Sequence, residues 1–401
     1  MEIFEKANIA DCELKNRIIR SATFEGMADD NGYPGTRYVS LYEKLSQNEI
    51  GAIITGFTYF SEEGKAMHPN QAGIDNESKI PYYEQVTSKV HKNGSKIFLQ
   101  IAHTGRQTLK RIIQTVPLGV NSEKSRYFRE SPRPLSTIEA YHLAYQFGKA
   151  ALLAKKSGFD GVQIHAAHGY LIHQFISPNI NTRKDIFGIN PETGIGTLFL
   201  ECIINSVREQ CGYKFPLLVK ISCGEDIGNK FTDSHFINLV RFLDKMNVDA
   251  IEVSYGTMDN AFNIFRGDIP LSFIFNYNPL FKTESVLKRW LIKAFILPNF
   301  LKEKIELHPM YNLKYAVLAK ANCSQKIICV GGFRSYQDIN SAIRNEQTDF
   351  VSMCRPFIRE PDFVIKMLSD FGYKSKCKNC NKCAIMCDSP YPTKCYENNY
   401  C

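Results

Sequence analysis

Two histidines and a tyrosine directly follow an apolar strand near the middle of the chain. Residues 158–170 read Gly-Phe-Asp-Gly-Val-Gln-Ile-His-Ala-Ala-His-Gly-Tyr, which places His165 at the end of the strand and His168 and Tyr170 on the next loop. In a parallel α/β barrel the loops after the strands meet at one open mouth, where reacting groups collect. Two imidazoles and a phenol at that mouth are able to bind a carbonyl or anionic oxygen and to deliver a proton.

The same residues also have a purely structural interpretation, in which a histidine pair packs the loop. Spacing alone supports the catalytic and the structural roles of His165 and His168 about equally. A zinc site is not indicated, because His-x-x-His lacks the i, i+4 spacing and the glutamate of the His-Glu-x-x-His motif.

The composition of the chain is that of an ordinary soluble protein. Of its 401 residues 44% are hydrophobic and 22% are charged, and the net charge of +8 is dispersed along the sequence. Nucleic acid and membrane partners are therefore not expected, whereas an anionic cofactor or substrate would suit the charge. The first residues lack the pattern of a signal peptide, and the apolar segment 291–301 is too short to span a bilayer. We expect a cytoplasmic protein whose thirteen cysteines are reduced thiols or metal ligands rather than disulfides.

Eight short apolar segments of strand type alternate with amphipathic helical segments. The strand segments are residues 17–22, 51–55, 96–101, 161–165, 217–222, 250–254, 327–331 and 349–353. Alternation of this kind predicts a parallel sheet, and eight repeats predict an α/β fold closed as a (β/α)8 TIM barrel. The clearest helices are expected at 79–93 and 137–157, the second ending at Ser157-Gly158 in a left-handed cap.

Two connections, 105–134 and 256–313, are longer than is usual between such elements. The second is rich in aromatic residues, among them Phe262, Phe265, Phe273, Phe275, Tyr277 and Trp290. It is expected either to form a lid over the mouth of the barrel or to pack as peripheral helices against the barrel wall. We expect a barrel domain in residues 1–370, followed by a cysteine-rich C-terminal tail in residues 371–401.

A longer motif extends beyond the two histidines and the tyrosine. His165-Ala-Ala-His168-Gly-Tyr170-Leu-Ile-His is followed by Ser177-Pro178 and by Asn181-x-Arg183-x-Asp185. This motif resembles the old yellow enzyme family of FMN-dependent ene-reductases, and the resemblance covers roughly residues 1–370. It implies that His165 and His168 hold a carbonyl or nitro oxygen of an electron-poor alkene. Tyr170 would then give a proton to the α-carbon, while hydride from the flavin reaches the β-carbon.

Further segments resemble the family in the same order and are implied to bind FMN. They lie at 14–26, 53–56, 100–106, 216–222, 330–333 and 352–356. The implied cofactor contacts are Ser21, Ala22, Thr23, Gly56, Gln100, Lys220, Gly331, Gly332, Cys354 and Arg355. Lys220 would stabilise the reduced flavin by Coulomb attraction, Gln100 would contact the flavin ring, and the two glycines would admit a phosphate to the main chain. NADH or NADPH is the implied reductant.

Two departures from the family pattern limit what the resemblance carries over. After Asp185 the family continues Tyr-Gly-Gly-Ser-x-Glu-Asn-Arg, whereas this chain reads Ile186-Phe-Gly-Ile-Asn-Pro-Glu-Thr-Gly194 and lacks the arginine. Phe24 stands where relatives carry a threonine or cysteine that tunes the flavin. The substrate range and the flavin potential are therefore not carried over.

The tail contains two alternative sets of four metal-binding cysteines. Cys377, Cys380, Cys383 and Cys387 have a ferredoxin-like spacing, and Cys395 is the alternative fourth ligand. The set with Cys395 resembles the 2,4-dienoyl-CoA reductase and trimethylamine dehydrogenase branch of the family, in which such cysteines hold a 4Fe–4S cluster, although this chain has one residue fewer between the second and third cysteines. Zinc and a metal-free tail are the alternatives. Because the flavin and nicotinamide domains of those relatives do not follow here, a cluster would exchange electrons with an electron-transfer protein.

Four functions are thus weighed on the sequence. The leading one is an FMN-dependent NAD(P)H oxidoreductase that reduces activated C=C bonds. The alternatives are an amine or C–H dehydrogenase and an electron-transfer module that uses FMN and an iron–sulfur cluster. A metal-dependent barrel hydrolase is disfavoured, because acidic metal ligands are missing at the strand ends. The sequence leaves the oligomeric state open.

Overall fold

Eight short strands form a closed parallel barrel within residues 1–397, the part of the chain that the computed structural model describes, with only the backbone of residue 300. The strands are β1 (Ile18–Arg20), β2 (Ala52–Ile54), β3 (Lys96–Ile101), β4 (Gly161–Ala166), β5 (Leu217–Ser222), β6 (Ala250–Ser254), β7 (Lys326–Val330) and β8 (Phe350–Met353). Each strand pairs with the next along the chain, and β8 pairs with β1 to close the ring. The predicted (β/α)8 TIM barrel is confirmed, with strand ends within two residues of the predicted ones.

Helices connect the strands, and among the described residues three more helices follow the last strand. They are α1 (Thr36–Ser46), α2 (Ile80–Lys92), α3 (Lys110–Ile113), α4 (Thr137–Lys156), α5 (Leu171–Ile176), α6 (Leu198–Cys211), α7 (Asp233–Lys245), α8 (Leu271–Tyr277), α9 (Val286–Leu291), α10 (Leu297–Lys302), α11 (Leu313–Lys320), α12 (Tyr336–Arg344), α13 (Arg355–Arg359), α14 (Phe363–Ser369) and α15 (Lys382–Met386). Helix α4 begins with a capping box, in which Ser136 and Glu139 each accept a hydrogen bond from the other's main chain. It ends as predicted, with Gly158 in the left-handed region at φ 81°.

The barrel interior carries polar side chains in register on neighbouring strands. Most strand residues are apolar and buried on both faces, as is usual for a parallel sheet. The pairing places Gln100 of β3 beside Gln163 of β4, and Lys220 of β5 beside both His165 of β4 and Glu252 of β6. The strands therefore bring these polar groups together at one level of the barrel.

An N-terminal hairpin closes the opposite end of the barrel. Residues Ala7–Ile9 and Cys12–Leu14 pair as short antiparallel strands. Ile9 and Leu14 are fully buried in one apolar cluster with strand residues such as Phe98 and Leu218. Because this end is filled by apolar side chains, only the carboxyl ends of the strands are left to build a polar site.

The long connection after β6 has two different parts. Its first part forms a 3-10 turn at Met258–Asn263, and Phe262 in this turn and Phe265 just after it line the cavity at the barrel mouth. Its second part contains α8, α9, a π-helical turn at Ile292–Ile296 and α10. Trp290 in this second part is exposed. The lid interpretation therefore fits the first part. In the second part, α9 and α10 have large apolar side chains that are exposed, and these pack neither over the mouth nor against the barrel wall.

The cysteine-rich tail packs on the carboxyl side of the barrel through main-chain and side-chain hydrogen bonds. The Asp268 amide donates to the Asn379 carbonyl at 3.0 Å, and the Thr393 amide donates to the Glu25 carbonyl at 2.7 Å. Arg355 donates to the Asn381 side chain at 2.7 Å. The division into residues 1–370 and 371–401 stays a prediction, and residues 398–401 lie outside the described part of the chain.

Candidate active site at the carboxyl end of the barrel

A cavity of about 270 Å³ opens at the carboxyl ends of the strands. The structure brings all three predicted catalytic residues to its wall, together with eight of the ten predicted cofactor contacts. These eight are Ala22, Thr23, Gln100, Lys220, Gly331, Gly332, Cys354 and Arg355. The two histidines and most of the predicted cofactor contacts therefore line the same cavity.

The rings of His165, His168 and Tyr170 are direct neighbours. The ring centroid of His165 lies 5.0 Å from that of His168 and 4.7 Å from that of Tyr170. His168 adopts a left-handed backbone at φ 62°, which turns the loop back over the end of β4. Its Nε2 lies 2.8 Å from the Ser254 hydroxyl at the end of β6, so the orientation of the ring is fixed.

Burial keeps all three rings in their neutral forms. It lowers the pKa of both imidazoles well below the usual value, and the nearby Lys220 ammonium lowers both further. Burial raises the pKa of the Tyr170 phenol above its ordinary value, and the Asp388 carboxylate adds to the shift. At neutral pH the site therefore offers uncharged imidazoles and a phenol that carries its proton.

A buried polar network lies beneath the cavity. The Gln100 amide donates to Gln163 at 2.7 Å, and Gln163 donates to Glu252 at 2.9 Å. Glu252 also lies 3.2 Å from the Lys220 ammonium and accepts a hydrogen bond from Ser352. The network fixes the side chains of Gln100 and Lys220 at the floor of the cavity.

Glu252 was not predicted as a site residue. Burial favours its neutral form, but Lys220 and the hydrogen bonds outweigh burial and hold the pKa of the carboxyl below its usual value. A charged residue inside the apolar strand Ala250–Ser254 was the available sequence signal, because such a charge is buried only with a partner.

Two of the predicted cofactor contacts do not lie on the cavity wall. The Ser21 hydroxyl sits behind Lys220, accepting from its Nζ at 3.0 Å and donating to Glu252 at 2.6 Å. The Gly56 amide donates to the Glu25 carboxylate at 2.6 Å, and a Cβ at Gly56 would lie 2.3 Å from that carboxylate. Ser21 thus supports Lys220 from behind, whereas Gly56 is explained by close packing on Glu25.

The turn after β7 has features that fit a phosphate group. Gly331 and Gly332 have φ values of 134° and 80°, a conformation that disfavours other residues. Arg334, which lines the cavity beside them, has a buried Nε without a hydrogen-bond partner among the described residues. Arg355 instead donates to the main chain of Arg266 and to the tail. Arg334 is therefore the better-placed donor, and sequence reasoning overlooked it.

The tail contributes part of the cavity wall. Cys383, Cys387 and Asp388 line the cavity beside barrel residues. Asp388 lies 2.8 Å from Nδ1 of His68, and the His68 ring packs 4.9 Å from the ring of Phe24. His68 and Asp388 were not predicted, because no local pattern reports a contact between residues so far apart in the chain.

The described tail cysteines line two cavities, and Cys383 lines both of them. Four of them line a second, smaller cavity, namely Cys377, Cys380, Cys383 and Cys395. The Cys387 thiol instead lies 3.4 Å from the Thr393 hydroxyl and faces the large cavity. Within residues 1–397 no three His, Cys, Asp or Glu side chains are arranged so that they could hold a metal ion. Metal binding by the tail stays a prediction.

Together, these features define a TIM barrel with a cavity above a buried polar network at the carboxyl ends of its strands. Residues 2–267 match the model of the NADH:flavin oxidoreductase / NADH oxidase family, and the chain belongs to this family. The resemblance to old yellow enzymes is thereby confirmed. The expectation that the chain is an oxidoreductase of a family that uses FMN and NAD(P)H is also confirmed.

Curated relatives agree with this assignment. The chain is 27% identical over 370 residues to an NADPH dehydrogenase of Clostridium acetobutylicum, an alignment that covers 91% of this chain and 94% of that protein. It is 25% identical over 387 residues to an NADH oxidase of Thermoanaerobacter brockii, covering 96% of this chain and 53% of the relative. The chain thus spans only about half the length of the second relative.

Solved structures show the same fold. A 2-naphthoyl-CoA reductase in complex with 2-naphthoyl-CoA superposes with a TM-score of 0.81 at 20% identity, over 99% of this chain and 57% of that one. An old yellow enzyme homologue from Zymomonas mobilis superposes with a TM-score of 0.72 at 21% identity, over 95% and 96% of the two chains. Among the described residues, no helix has the length and apolar character needed to cross a membrane.

Proposed function

We propose that this chain is an FMN-dependent ene-reductase, which reduces an activated C=C bond with electrons from NADH or NADPH. The observation that carries the proposal is the trio of neutral rings, His165, His168 and Tyr170, on the wall of one cavity. FMN, when bound, supplies the hydride. The rest of the chemistry falls to side chains of this chain.

The residues around the cavity fit the parts of FMN. The turn at Gly331 and Gly332 suits the phosphate, as does the Nε of Arg334, which has no hydrogen-bond partner among the described residues. Gln100 and Lys220, held from below by Gln163 and Glu252, suit the polar edge of the ring system, where Lys220 would stabilise negative charge after reduction. These contacts are proposals for the bound state.

The histidines would hold the activating oxygen of the substrate. Uncharged imidazoles donate hydrogen bonds to a carbonyl or nitro oxygen and stabilise the charge that develops on it. Hydride reaches the β-carbon and the Tyr170 hydroxyl delivers a proton to the α-carbon, so that the C=C bond becomes a C–C bond. Tyr170 regains its proton from solvent, and the nicotinamide leaves in its oxidised form.

The remaining wall of the cavity favours an apolar substrate. Phe24, Phe57, Phe262 and Phe265 line it. An amine or C–H dehydrogenase is the alternative within the same family, and matched panels of amines and electron-poor alkenes separate the two. We expect saturated products from the alkenes and no oxidised product from the amines.

The experiment that tests the proposal compares the two half-reactions in the Tyr170→Phe variant. Without the phenolic proton, reoxidation of the reduced protein by an enone should slow by about 100-fold or more, which is the usual range for a general acid. Reduction by NAD(P)H should stay within about twofold of wild type. Stopped-flow absorbance under anaerobic conditions measures both rates.

The exposed Tyr145→Phe serves as the matched control, because Tyr145 lies on α4 away from the cavity. Equal slowing of both half-reactions in Tyr170→Phe would contradict the proposed role. A protein that neither binds FMN nor reacts with NAD(P)H would overturn the proposed function itself.

For the tail we propose a metal site made of Cys377, Cys380, Cys383 and Cys395. The supporting observation is that these four thiols line one cavity, whereas Cys387 lies against Thr393. A 4Fe–4S cluster is favoured over zinc by the resemblance of this set to the iron–sulfur branch of the family. An electron-transfer protein would then be the partner that such a cluster serves.

Metal analysis of two matched variants tests this ligand set. Iron, sulfide and zinc are determined on anaerobically purified wild type, Cys395→Ser and Cys387→Ser. We expect Cys395→Ser to lose most of the metal and Cys387→Ser to retain it. The reverse result would assign the ferredoxin-like set with Cys387, and a metal-free wild type would overturn the site.

A further inference from the structure

One helical segment presents its apolar side chains to solvent. Helix α9, the π-helical turn at Ile292–Ile296 and helix α10 form one continuous run from residue 286 to residue 302. The π-helical turn precedes Pro298, whose ring nitrogen has no hydrogen to donate to an ordinary α-helical bond. We call this run the exposed helix.

The exposed helix carries seven large apolar side chains that stand in solvent. They are Val286, Leu287, Trp290, Leu291, Phe295, Ile296 and Leu301. The first four have i, i+1, i+4 and i+5 spacing, so they share one face. Val286 is 81% exposed and Trp290 is 58% exposed. On α4 only three large apolar side chains are exposed, namely Ile138, Tyr141 and Tyr145, and a larger contiguous patch is what marks a contact surface.

Positive charge surrounds this apolar face. Residues 282–304 contain six Lys or Arg and two Glu. Glu303 is already paired with Arg126 at 3.0 Å. Lys288 and Lys293 are exposed on the helix itself. The occupant of this surface must therefore accept apolar side chains and offer negative charge.

The exposed helix is fixed to the body of the protein at both ends. Near its start, Arg289 donates to the Thr283 carbonyl at 2.9 Å and to the Asn276 side chain at 3.1 Å. Just after its end, Asn263 donates to the Glu303 carbonyl at 2.9 Å and accepts from the Ile305 amide at 2.8 Å. The apolar face is thus held outward by contacts on its other side.

We propose that the exposed helix binds the surface of a membrane that contains anionic lipid. A helix that combines a tryptophan, leucines and a phenylalanine with lysines lies in the interface of such a membrane, with its apolar face among the acyl chains. A second copy of the chain is disfavoured as the occupant, because the same cations would meet across the interface. The proposal concerns attachment to one leaflet and goes beyond the proposed redox function.

This inference departs from the expectation of no membrane partner, which rested on composition and on the lack of a spanning segment. Composition averaged over 401 residues hides a local patch. The sequence also does not report that residues 286–301 are left uncovered after folding. The contacts of Arg289 and Asn263 at the two ends of the segment become visible only in the folded structure.

Trp290 is the only tryptophan of the chain and reports directly on the patch. The FMN-loaded full chain is mixed with vesicles of phosphatidylcholine alone, or with about one-third phosphatidylserine added. With the anionic vesicles we expect a blue shift of the tryptophan emission and co-sedimentation of the protein. Phosphatidylcholine alone should produce much weaker binding.

Variants locate the binding surface. Lys288→Gln/Lys293→Gln should weaken binding to the anionic vesicles by about 30-fold, because each cation near such a surface contributes about fivefold. Leu287→Ser/Leu291→Ser should abolish co-sedimentation. The matched controls are Lys44→Gln/Lys92→Gln for the charges and Ile138→Ser for the apolar change, since all three control positions are exposed elsewhere.

Three results would overturn the proposal. One is an unchanged emission spectrum together with protein that stays in the supernatant. Another is vesicle binding that the exposed-helix variants leave intact. The last is a blue shift of the tryptophan emission in the absence of lipid, growing with protein concentration as the molecular mass doubles. This result would assign the surface to a second copy of the chain. Reduction by NAD(P)H reports separately on the redox function.

Discussion

At the scale of single residues, removal from water sets the chemistry of the site. Burial disfavours the charged form of any titratable group, so it lowers the pKa of His165 and His168 and raises that of Tyr170. The site therefore presents two uncharged donors beside a phenol that keeps its proton. Such a site suits a polarised, uncharged oxygen better than an anion.

The ion pair of Lys220 and Glu252 is expected to be the most sensitive polar contact inside the barrel. Glu252→Gln keeps the size of the side chain but leaves the buried Lys220 ammonium without its counter-charge. We expect this change to lower the free energy of unfolding by about 3 kcal/mol. Glu252→Gln/Lys220→Gln should be more stable than Glu252→Gln, because no uncompensated charge remains. Urea unfolding of the apoproteins measures both effects, and equal stability of the two variants would contradict the role of the pair.

A further buried histidine, His103, makes the stability depend on pH. Burial lowers the pKa of His103 to about 3, whereas in the unfolded chain it titrates near 6.5. Below pH 6.5 the unfolded chain binds a proton that the folded chain excludes, so stability falls as the pH falls. From pH 7 to pH 5 this one group accounts for a loss of about 2 kcal/mol.

The His103→Gln variant isolates that contribution. Its unfolding free energy should fall by about 2 kcal/mol less between pH 7 and pH 5 than that of wild type. The same substitution at the exposed His142 controls for replacing an imidazole by an amide. An identical pH dependence in His103→Gln and wild type would show that the folded chain tolerates the protonated ring.

At the scale of elements, the tail and the barrel build the cavity together. Asp388 of the tail faces His68 at 2.8 Å and also accepts a hydrogen bond from Asn278 at 2.6 Å. Asp388→Ala removes the carboxylate that lies beside His68 and that accepts the hydrogen bond from Asn278, and we expect it to raise the substrate KM by about tenfold, in line with the loss of a charged hydrogen bond.

The reduction of FMN by NAD(P)H should change little in the Asp388→Ala variant. Gln100 and Lys220 are held by Gln163 and Glu252 of the barrel strands and do not depend on Asp388. Asp370→Ala provides the control, since Asp370 is exposed and lies before the cysteines. Steady-state kinetics with an enone measures KM and kcat. An unchanged KM would mean that the tail does not contact the substrate.

The barrel was predictable from the sequence because each βα unit carries its own signal. The apolar runs at 96–101 and 217–222 match β3 and β5 residue for residue, and α4 was recognised from its apolar spacing and its Ser157-Gly158 end. Such signals are local, since period and caps depend on neighbours within a few residues. The two parts of the long connection 256–313 differ in exposure, which the sequence does not report.

The residues of the candidate site were predictable only where they belong to a motif within one short stretch of sequence. His165, His168 and Tyr170 fall within one stretch of chain, and the cofactor segments follow the strands. Glu252, Arg334 and the pair of His68 with Asp388 were missed. Their positions depend on contacts between distant segments, and a local motif does not encode these.

At the scale of the whole molecule, the two ends of the barrel differ. The candidate site lies at the carboxyl ends of the strands, while the amino end is closed by apolar packing. The N-terminal hairpin fills the amino end, and the tail, the 3-10 turn after β6 and the Gly331–Gly332 turn surround the carboxyl end. This division follows the general rule for such barrels, in which one end serves stability and the other function. This architecture agrees with the membership of the NADH:flavin oxidoreductase family, and it is the fold that the chain shares with the two solved structures.

The most direct test of the central claim follows hydrogen isotopes through one turnover. The FMN-loaded protein is reduced anaerobically with nicotinamide that carries transferable deuterium and is then mixed with cyclohexenone; a parallel reaction uses unlabelled reductant in D2O. We predict cyclohexanone with reductant-derived deuterium on the β-carbon and solvent-derived deuterium on the α-carbon. Two results would contradict the assignment of this cavity to C=C reduction. One is reduction of the protein without any saturated product, and the other is reoxidation only by electron acceptors that are not alkenes.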